Sequence, residues 1–174
     1  ILEKSNNNEY ILPTIFGDLT ETGDMPTGNK SISFESISYY LEQDYSSGVT
    51  LQLAVGGDGN LSVDHSNNTI SGTMTFRRYA DLTEFLLGNG ATNQYSSLPA
   101  VVLTISNGQI VGNKFSADLV ADDTNNSGLY LTGKMSGGFF GPSGREIGAS
   151  FFVGDADGDD SDYYYASGFL IGEE

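Results

Sequence analysis

Five carboxylates near the end of the chain form the pattern that most suggests chemistry. Asp155, Asp157 and Asp159 alternate with Ala and Gly, and two further Asp residues follow within the next three positions. This spacing is similar to the start of an EF-hand loop, whose carboxylates coordinate Ca²⁺. An EF-hand also has Gly at its sixth position and Glu at its twelfth, where this chain has Asp160 and Ala166. The pattern predicts either a weak Ca²⁺ site formed by Asp155, Asp157 and Asp159 or a solvated loop of mutually repelling charges, and the second interpretation is favoured.

The single histidine, His65, gives little support for catalysis. Its neighbour Asp64 points to the opposite face of an extended strand, which argues against a Ser–His–Asp triad. The chain contains no Cys, which excludes a thiolate nucleophile, a thiolate metal site and a disulfide within these residues. It contains no Trp to form the usual platform for a sugar substrate. We therefore predict that the protein is not an enzyme and has no catalytic residues.

Several aromatic and large apolar residues are candidates for contact with a partner protein, because aromatic rings supply contact area at low entropic cost. Three consecutive tyrosines end at Tyr165, although such a run also closes barrels with one ring inside and the next outside. The candidate partner-binding residues are Tyr79, Phe85, Leu86, Tyr95, Tyr163 and Tyr164.

The overall charge narrows the class of partner. Seven Lys and Arg against 23 Asp and Glu give a net charge of −16, which repels phosphate backbones and anionic membrane surfaces, so nucleic acid is not an expected partner. Solubility or adaptation to salt explains such a charge most simply, and a cationic partner or Ca²⁺ is the alternative. The 174 residues fit one domain, and no run of 18 apolar residues predicts a membrane-spanning helix. Because the chain begins at Ile1 rather than Met, we interpret it as a processed or excised product.

The elements that would position these residues are mostly β-strands. From Lys30 onward apolar and polar residues alternate with period two, and a change of phase after Phe34 predicts a bulge near Glu35 and Ser36. Glycine- and asparagine-rich turns are predicted at residues 56–60, 66–68, 107–108 and 122–127. Residues 79–90 interrupt this pattern with a helix-capping signal and a terminating Gly, and predict one or two helical turns.

About eight strands joined by short turns predict an all-β fold. An antiparallel up-and-down β-barrel or, alternatively, a sandwich accounts for this spacing, and closure of a barrel removes exposed strand edges. Residues 29–174 are predicted to form the barrel, and residues 1–28 a tether or docking segment with an apolar patch at residues 10–16. A membrane barrel is disfavoured, because both faces of several strands carry small polar residues rather than an apolar band.

Residues 137–151 carry the most specific motif of the chain. They read Gly-Gly-Phe-Phe-Gly-Pro-Ser-Gly-Arg-Glu-Ile-Gly-Ala-Ser-Phe, which resembles the hallmark hairpin of the transferrin-binding-protein-like β-barrel of bacterial surface lipoproteins and of related Slam-dependent secreted proteins. In this motif Gly141 and Pro142 would fix a tight turn, Glu146 would accept hydrogen bonds from loop amides, and Gly148 would allow a neighbouring backbone or ring to approach.

The resemblance extends over residues 23–174. Shorter matches occur in the same order at residues 26–29, 61–65, 70–73, 112–116 and 165–169. Gly144 and Ala149 stand where the family commonly has Ala and Gly, and residues 79–90 look like an insertion, which puts the ligand rather than the fold in doubt.

The resemblance implies a binding protein of a Gram-negative bacterium, secreted or anchored to the outer membrane through a segment outside this sequence. Such a protein captures a host protein, haem or another iron source and passes it to an outer-membrane transporter, and we expect a monomer. Because related proteins include haem scavengers, His65 is a candidate haem ligand, although a histidine at a strand end or barrel mouth is the simpler interpretation. The alternatives are a structural or adhesive surface module and a lipocalin-like carrier with a small ligand inside the barrel.

Overall fold

The computed structural model describes residues 2–5, 8–11, 17–44, 49–79, 101–123, 129–155 and 162–174. A short hairpin comes first, formed by β1 (Leu2–Ser5) and β2 (Asn8–Ile11). The eight strands that follow form a closed antiparallel barrel in which each strand pairs with its neighbours in sequence and the last pairs with the first. They are β3 (Asn29–Asp44), β4 (Val49–Asp64), β5 (Thr69–Tyr79), β6 (Val101–Val111), β7 (Lys114–Asp123), β8 (Leu129–Phe140), β9 (Glu146–Asp155) and β10 (Asp162–Glu173).

This closed sheet confirms the predicted all-β barrel and its number of strands, and it excludes the sandwich. In the part of the chain that the structure describes, the only helical turns are two short 3₁₀ turns, Thr22–Asp24 and Pro142–Gly144. The helical turns predicted within residues 79–90 fall almost wholly on residues 80–100, which lie outside the described residues, so they remain a prediction.

The interior of the barrel is filled by alternate apolar side chains of the strands. Ile32 and Phe34 of β3, Leu61 and Val63 of β4, and Leu119 of β7 are each at most 3% exposed, whereas residues between them point to solvent. This is the pattern expected when one face of each strand faces the core. Burial of these side chains removes apolar surface from water and is the main stabilising term of such a barrel.

The turn predicted at residues 56–60 is wrong, because β4 continues through it without interruption. Gly59 pairs with Phe34 on one side and with Met74 on the other. A Cβ at Gly59 would lie 2.9 Å from Cε1 of Phe34. The glycine therefore leaves room for a buried aromatic ring inside the barrel rather than reversing the chain.

The turn predicted at Asn107 and Gly108 is a β-bulge within β6. The pairing with β7 shifts register between Ser106 and Gln109, and Asn107 has a positive φ of 51°. Consequently Ile105 and Ile110 are both buried although they are five residues apart. The chain reverses instead at Gly112, where φ is 62°.

The bulge predicted near Glu35 and Ser36 is absent from the described pairing. Strand β3 keeps an unbroken register with both neighbours, so Ser36 pairs with Gly57 and with Leu170. Ser36 is 3% exposed, and its hydroxyl has no hydrogen-bond partner. The change of phase in the sequence thus marks a small polar residue on an inner position rather than an extra residue in the strand.

The two ends of the barrel differ. At the base, tight turns at residues 65–68, 112–113 and 141–145 join the strands, and β3 begins where β10 ends. At the top, the strands are joined through residues 45–48, 80–100, 124–128 and 156–161. Lys30 at the base forms a salt bridge with Glu174, with Nζ to Oε1 at 2.6 Å.

Candidate functional site

The top of the barrel carries three of the six predicted contact residues, Tyr79, Tyr163 and Tyr164. Within the described residues, Tyr163 and Tyr164 at the start of β10 pair with Gln43 and Glu42 of β3, and the described pairing of β10 with β9 begins at Tyr165. The first residues of β4 likewise pair with β3, and the described pairing of β4 with β5 begins at Ala54, opposite Tyr79. The ends of three adjacent strands thus lie side by side at the top, and we call them the top ribbon (residues 40–44, 49–53 and 162–164).

Tyr79 lies at the top as well, as the last residue of β5. Strands β4 and β3 lie between β5 and β10. At the usual spacing between neighbouring strands, the backbone of β5 at Tyr79 is therefore roughly 14 Å along the sheet from that of β10, which carries Tyr163 and Tyr164. Phe85, Leu86 and Tyr95 lie outside the described residues, in a connection that leaves and re-enters the barrel at the top. Among the described candidates, the fold therefore brings Tyr79, Tyr163 and Tyr164 to one end.

The predicted Ca²⁺ loop belongs to the same end. Asp155 is the last residue of β9, and Asp157 and Asp159 lie outside the described residues. Among the residues that the structure describes, no group of three or more His, Cys, Asp or Glu is arranged to hold a metal ion. The Ca²⁺ site therefore stays a prediction.

The top is strongly acidic in sequence. Eleven of the 23 acidic residues belong to the upper strand ends and their connections, against two basic residues, and such a distribution attracts cationic surfaces. The acidic residues are Glu42, Asp44, Asp81, Glu84, Asp122, Asp123, Asp155, Asp157, Asp159, Asp160 and Asp162, and the basic ones are Arg77 and Arg78.

The hairpin motif lies at the opposite end, in the turn between β8 and β9. Gly141 adopts a φ of 70°, and Pro142 begins the 3₁₀ turn. The carboxylate of Glu146 lies over Gly141, since a Cβ there would be 3.3 Å from Oε1. Gly148 is buried and pairs with Gly138. These residues shape the base and are separated from the top by the length of the barrel.

A segment before the barrel covers this hairpin. We call residues 17–28 the strap. The N–H of Thr20 donates to the Phe139 carbonyl at 3.0 Å, and its hydroxyl donates to the Gly141 carbonyl at 2.7 Å. Asn113 Nδ2 donates to the Thr20 carbonyl at 2.8 Å. Met25 packs against the core, so the strap is fixed by both polar and apolar contacts.

The strap also covers the outer face of β8. Leu19 forms an isolated antiparallel bridge with Phe140, and its side chain lies over Gly138. Sequence reasoning did not identify Thr20 or Asn113, because their partners lie 121 and 93 residues away in the chain. The apolar residues Leu19 and Met25 in an otherwise polar stretch were the local signal for this contact.

His65 lies at the base beside the strap. Its ring centroid is 5.3 Å from that of Phe139, and its backbone N–H donates to the Gly28 carbonyl at 3.1 Å. Its Nε2 is buried and has no hydrogen-bond partner. Burial lowers the pKa of His65, the charge of Lys30 lowers it further, and the charge of Asp64 partly offsets both effects. A haem iron could reach Nε2 only if the covering atoms moved, and the haem-ligand role stays a prediction.

A shallow depression on the outer wall is a separate feature. Three consecutive strands contribute Asp118, Lys134 and the half-exposed Phe152 to it, together with several serines. Asp118 accepts hydrogen bonds from Lys134 and, at 3.0 Å, from Asn107 Nδ2, and these bonds lower its pKa.

No helix in the described part of the chain is long and apolar enough to cross a membrane.

Comparison with known proteins gives a consistent result. Residues 25–168 match the model of the C-lobe and N-lobe β-barrels of Tf-binding protein B. The transferrin-binding protein B of Neisseria meningitidis serogroup B is 34% identical over 106 residues, which is 58% of this chain and 14% of that protein.

Solved structures support the fold. A mutant transferrin binding protein B from Haemophilus parasuis covers 91% of this chain with a TM-score of 0.52 and 17% identity, and a double mutant of the same protein covers 91% with a TM-score of 0.51 and 16% identity. The chain spans 29% and 28% of these structures, and about a seventh of the curated relative.

Proposed function

Because this chain belongs to the family of the C-lobe and N-lobe β-barrels of Tf-binding protein B, we propose that it is a non-enzymatic bacterial binding protein that captures an iron source at the cell surface or outside the cell. Transferrin is the first candidate partner, since the curated relative is named for binding it. Haemoglobin is the second candidate to test, as another iron-carrying host protein. Transfer of the captured iron source to an outer-membrane transporter, and a monomeric state, complete the proposal.

We propose that the partner contacts the top of the barrel. The observation that carries this proposal is that Tyr79, Tyr163 and Tyr164 all lie at strand ends at the top of the barrel, beside the acidic connections. Strand ends and connections on a rigid barrel are a common place for binding contacts. The acidic character of this end favours a partner with a basic contact surface and predicts that association is faster at low ionic strength.

A binding experiment with two matched variants tests this proposal. The protein is titrated against iron-loaded transferrin, iron-free transferrin and haemoglobin by biolayer interferometry. Replacement of Tyr163 and Tyr164 by Ala is expected to weaken binding at least about tenfold, as for aromatic residues at the centre of an interface. Phe152→Ala on the outer wall, which removes a 51% exposed aromatic ring, is the control and should bind as the wild type does.

Three outcomes separate the hypotheses. Loss of binding in the double variant alone supports a contact at the top. Equal loss in Phe152→Ala would move the contact to the outer wall. Absence of binding to all three proteins would favour a structural or adhesive surface module. The lipocalin-like alternative is not favoured, because the inward side chains of the described strands form a continuous apolar cluster.

A further inference from the structure

The strap completes the sheet at the base. Strand β7 begins at Lys114, which pairs with Gly138, so the last residues of β8 extend below it. The strap takes the place of β7 there, because Thr20 donates its N–H to the Phe139 carbonyl and the N–H of Gly141 points to the Asp18 carbonyl at 3.5 Å. Without the strap, the Phe139 carbonyl and the Gly141 N–H would lose these hydrogen-bond partners. The strap therefore acts as a short added strand.

His65 contacts both parts of this arrangement. Its N–H binds the carbonyl of Gly28, the last residue of the strap, and its ring packs against Phe139, the residue to which Thr20 is bonded. Phe139 is fully buried and also packs against Phe115, with ring centroids 5.3 Å apart. The backbone of His65 thus holds the end of the strap, and its ring packs on the residue that anchors the middle of the strap.

A proton on this imidazole would be poorly accommodated. Nε2 is buried without an acceptor. The positive charge of Lys30 on β3 disfavours a second charge on the ring, and the carboxylate partner of Lys30 is Glu174, which follows β10. Asp64 of β4 is the one acidic group whose charge favours the protonated ring among the residues described around it, and its oxygens already accept bonds from the backbone N–H groups of Ser66 and Asn67 and from the Asn67 side chain.

We propose that the strap is a proton-controlled latch, seated on the base of the barrel while His65 is neutral and released when the imidazole is protonated. Release lets the charged ring reach water, and it frees the Phe139 and Gly141 backbone groups for pairing with another strand. The seated state binds the proton less tightly than the open state, so seating is complete above pH 6.5, the ordinary value for His, and weakens as the pH falls below it.

The composition of the chain makes the test direct, since His65 is its only histidine. Untagged protein is studied by ¹H–¹³C NMR, in which the imidazole signal is unambiguous, and by hydrogen exchange at the Thr20 amide between pH 7.5 and 5.0, corrected for the intrinsic rate. We expect a midpoint below 6.5 and a loss of Thr20 protection of about tenfold for each unit by which the pKa differs between seated and open states. The Ile110 amide, bonded to Asn68 at the same end, is the control and should not change.

Two variants complete the experiment. His65→Gln cannot be charged, so its Thr20 protection should be independent of pH. Thr20→Val lacks the hydroxyl that donates to Gly141, so protection should be lower at every pH while the pH dependence is kept. The same pH dependence in His65→Gln, or an imidazole midpoint at or above 6.5 in the wild type, would overturn the proposal. The wild-type titration decides the question even where a variant does not fold.

Discussion

Replacement of Gly59 by Ala is expected to destabilise the barrel, against the usual effect of this substitution. An Ala in place of Gly in a compatible strand position stabilises a protein by about 0.4–1 kcal/mol, because it restricts the unfolded chain. At Gly59, however, the new Cβ would lie 2.9 Å from Cε1 of Phe34 and closer still to Cζ of Phe34 and to the Thr73 carbonyl oxygen. The ring has some freedom to move, but the carbonyl belongs to β5 and is fixed by the sheet.

The expected size follows from the cost of overpacking a core. Forcing a methyl group into a filled interior costs about 1–3 kcal/mol. For a chain of this length each kcal/mol changes Tm by about 2–4 °C, so Gly59→Ala should lower Tm by about 2–12 °C. Urea unfolding followed by far-UV circular dichroism and by Tyr fluorescence gives the free energy of unfolding, and the ten Tyr residues without Trp provide the second signal.

Gly23→Ala is the matched control. A Cβ at Gly23 would have no atom within 4 Å, so this variant should be as stable as the wild type or slightly more so. In a Phe34→Leu background, the cost of Gly59→Ala should fall but not vanish, because the clash with Thr73 remains. Equal stabilities of the Gly59 and Gly23 variants would refute the close packing of Phe34 over Gly59.

Three further changes test the described interior and base. Ser36→Ala should leave stability unchanged or raise it by up to about 1–3 kcal/mol in urea unfolding, because it removes a buried hydroxyl that has no partner; a loss above about 1 kcal/mol would indicate a missed hydrogen bond. Phe139→Ala should cost about 3–5 kcal/mol in the same assay, since it removes a fully buried ring, and a cost below about 1 kcal/mol would contradict that packing. Hydrogen bonds from Asn67 lower the pKa of Asp64 below 3.8, so the charged carboxylate contributes to stability above that pH, and this contribution is lost as the pH falls through the lowered pKa. Asp64→Asn should therefore reduce the decline of the urea unfolding midpoint between about pH 5 and 2.5. An unchanged decline would count against these bonds.

The sequence predicted the strands well because their inward residues alternate clearly. The predictions were wrong where the same residue type occurs both in turns and within strands. Glycines at residues 56–60 signal a turn by local propensity, but Gly59 makes room for a ring that comes from a different strand. Asn107 adopts the positive φ that a hairpin turn requires, yet it does so within a bulge. In both cases tertiary packing decided between conformations that the local sequence allows.

The candidate site was predictable to a different extent at each end. The aromatic and acidic residues at the top were recognisable by type, and the strand order that places their segments together followed from the predicted barrel. The contacts at the base were not recognisable, because Thr20 finds its partners in Asn113 and Gly141 only after the chain has closed. Pairwise contacts over such separations leave no periodic signal in a single sequence.

An even number of antiparallel strands returns the chain to the end at which it started. The start of β3 and the end of β10 therefore both lie at the base, where Glu173 pairs with Ser33 and Lys30 forms an ion pair with Glu174. Both ends of the barrel chain thus lie at the base, which is the arrangement that lets a domain be inserted into another polypeptide without affecting the top. Changes in length at that opposite rim cost only the slowly growing entropy of loop closure, so its loops can change without disturbing the base.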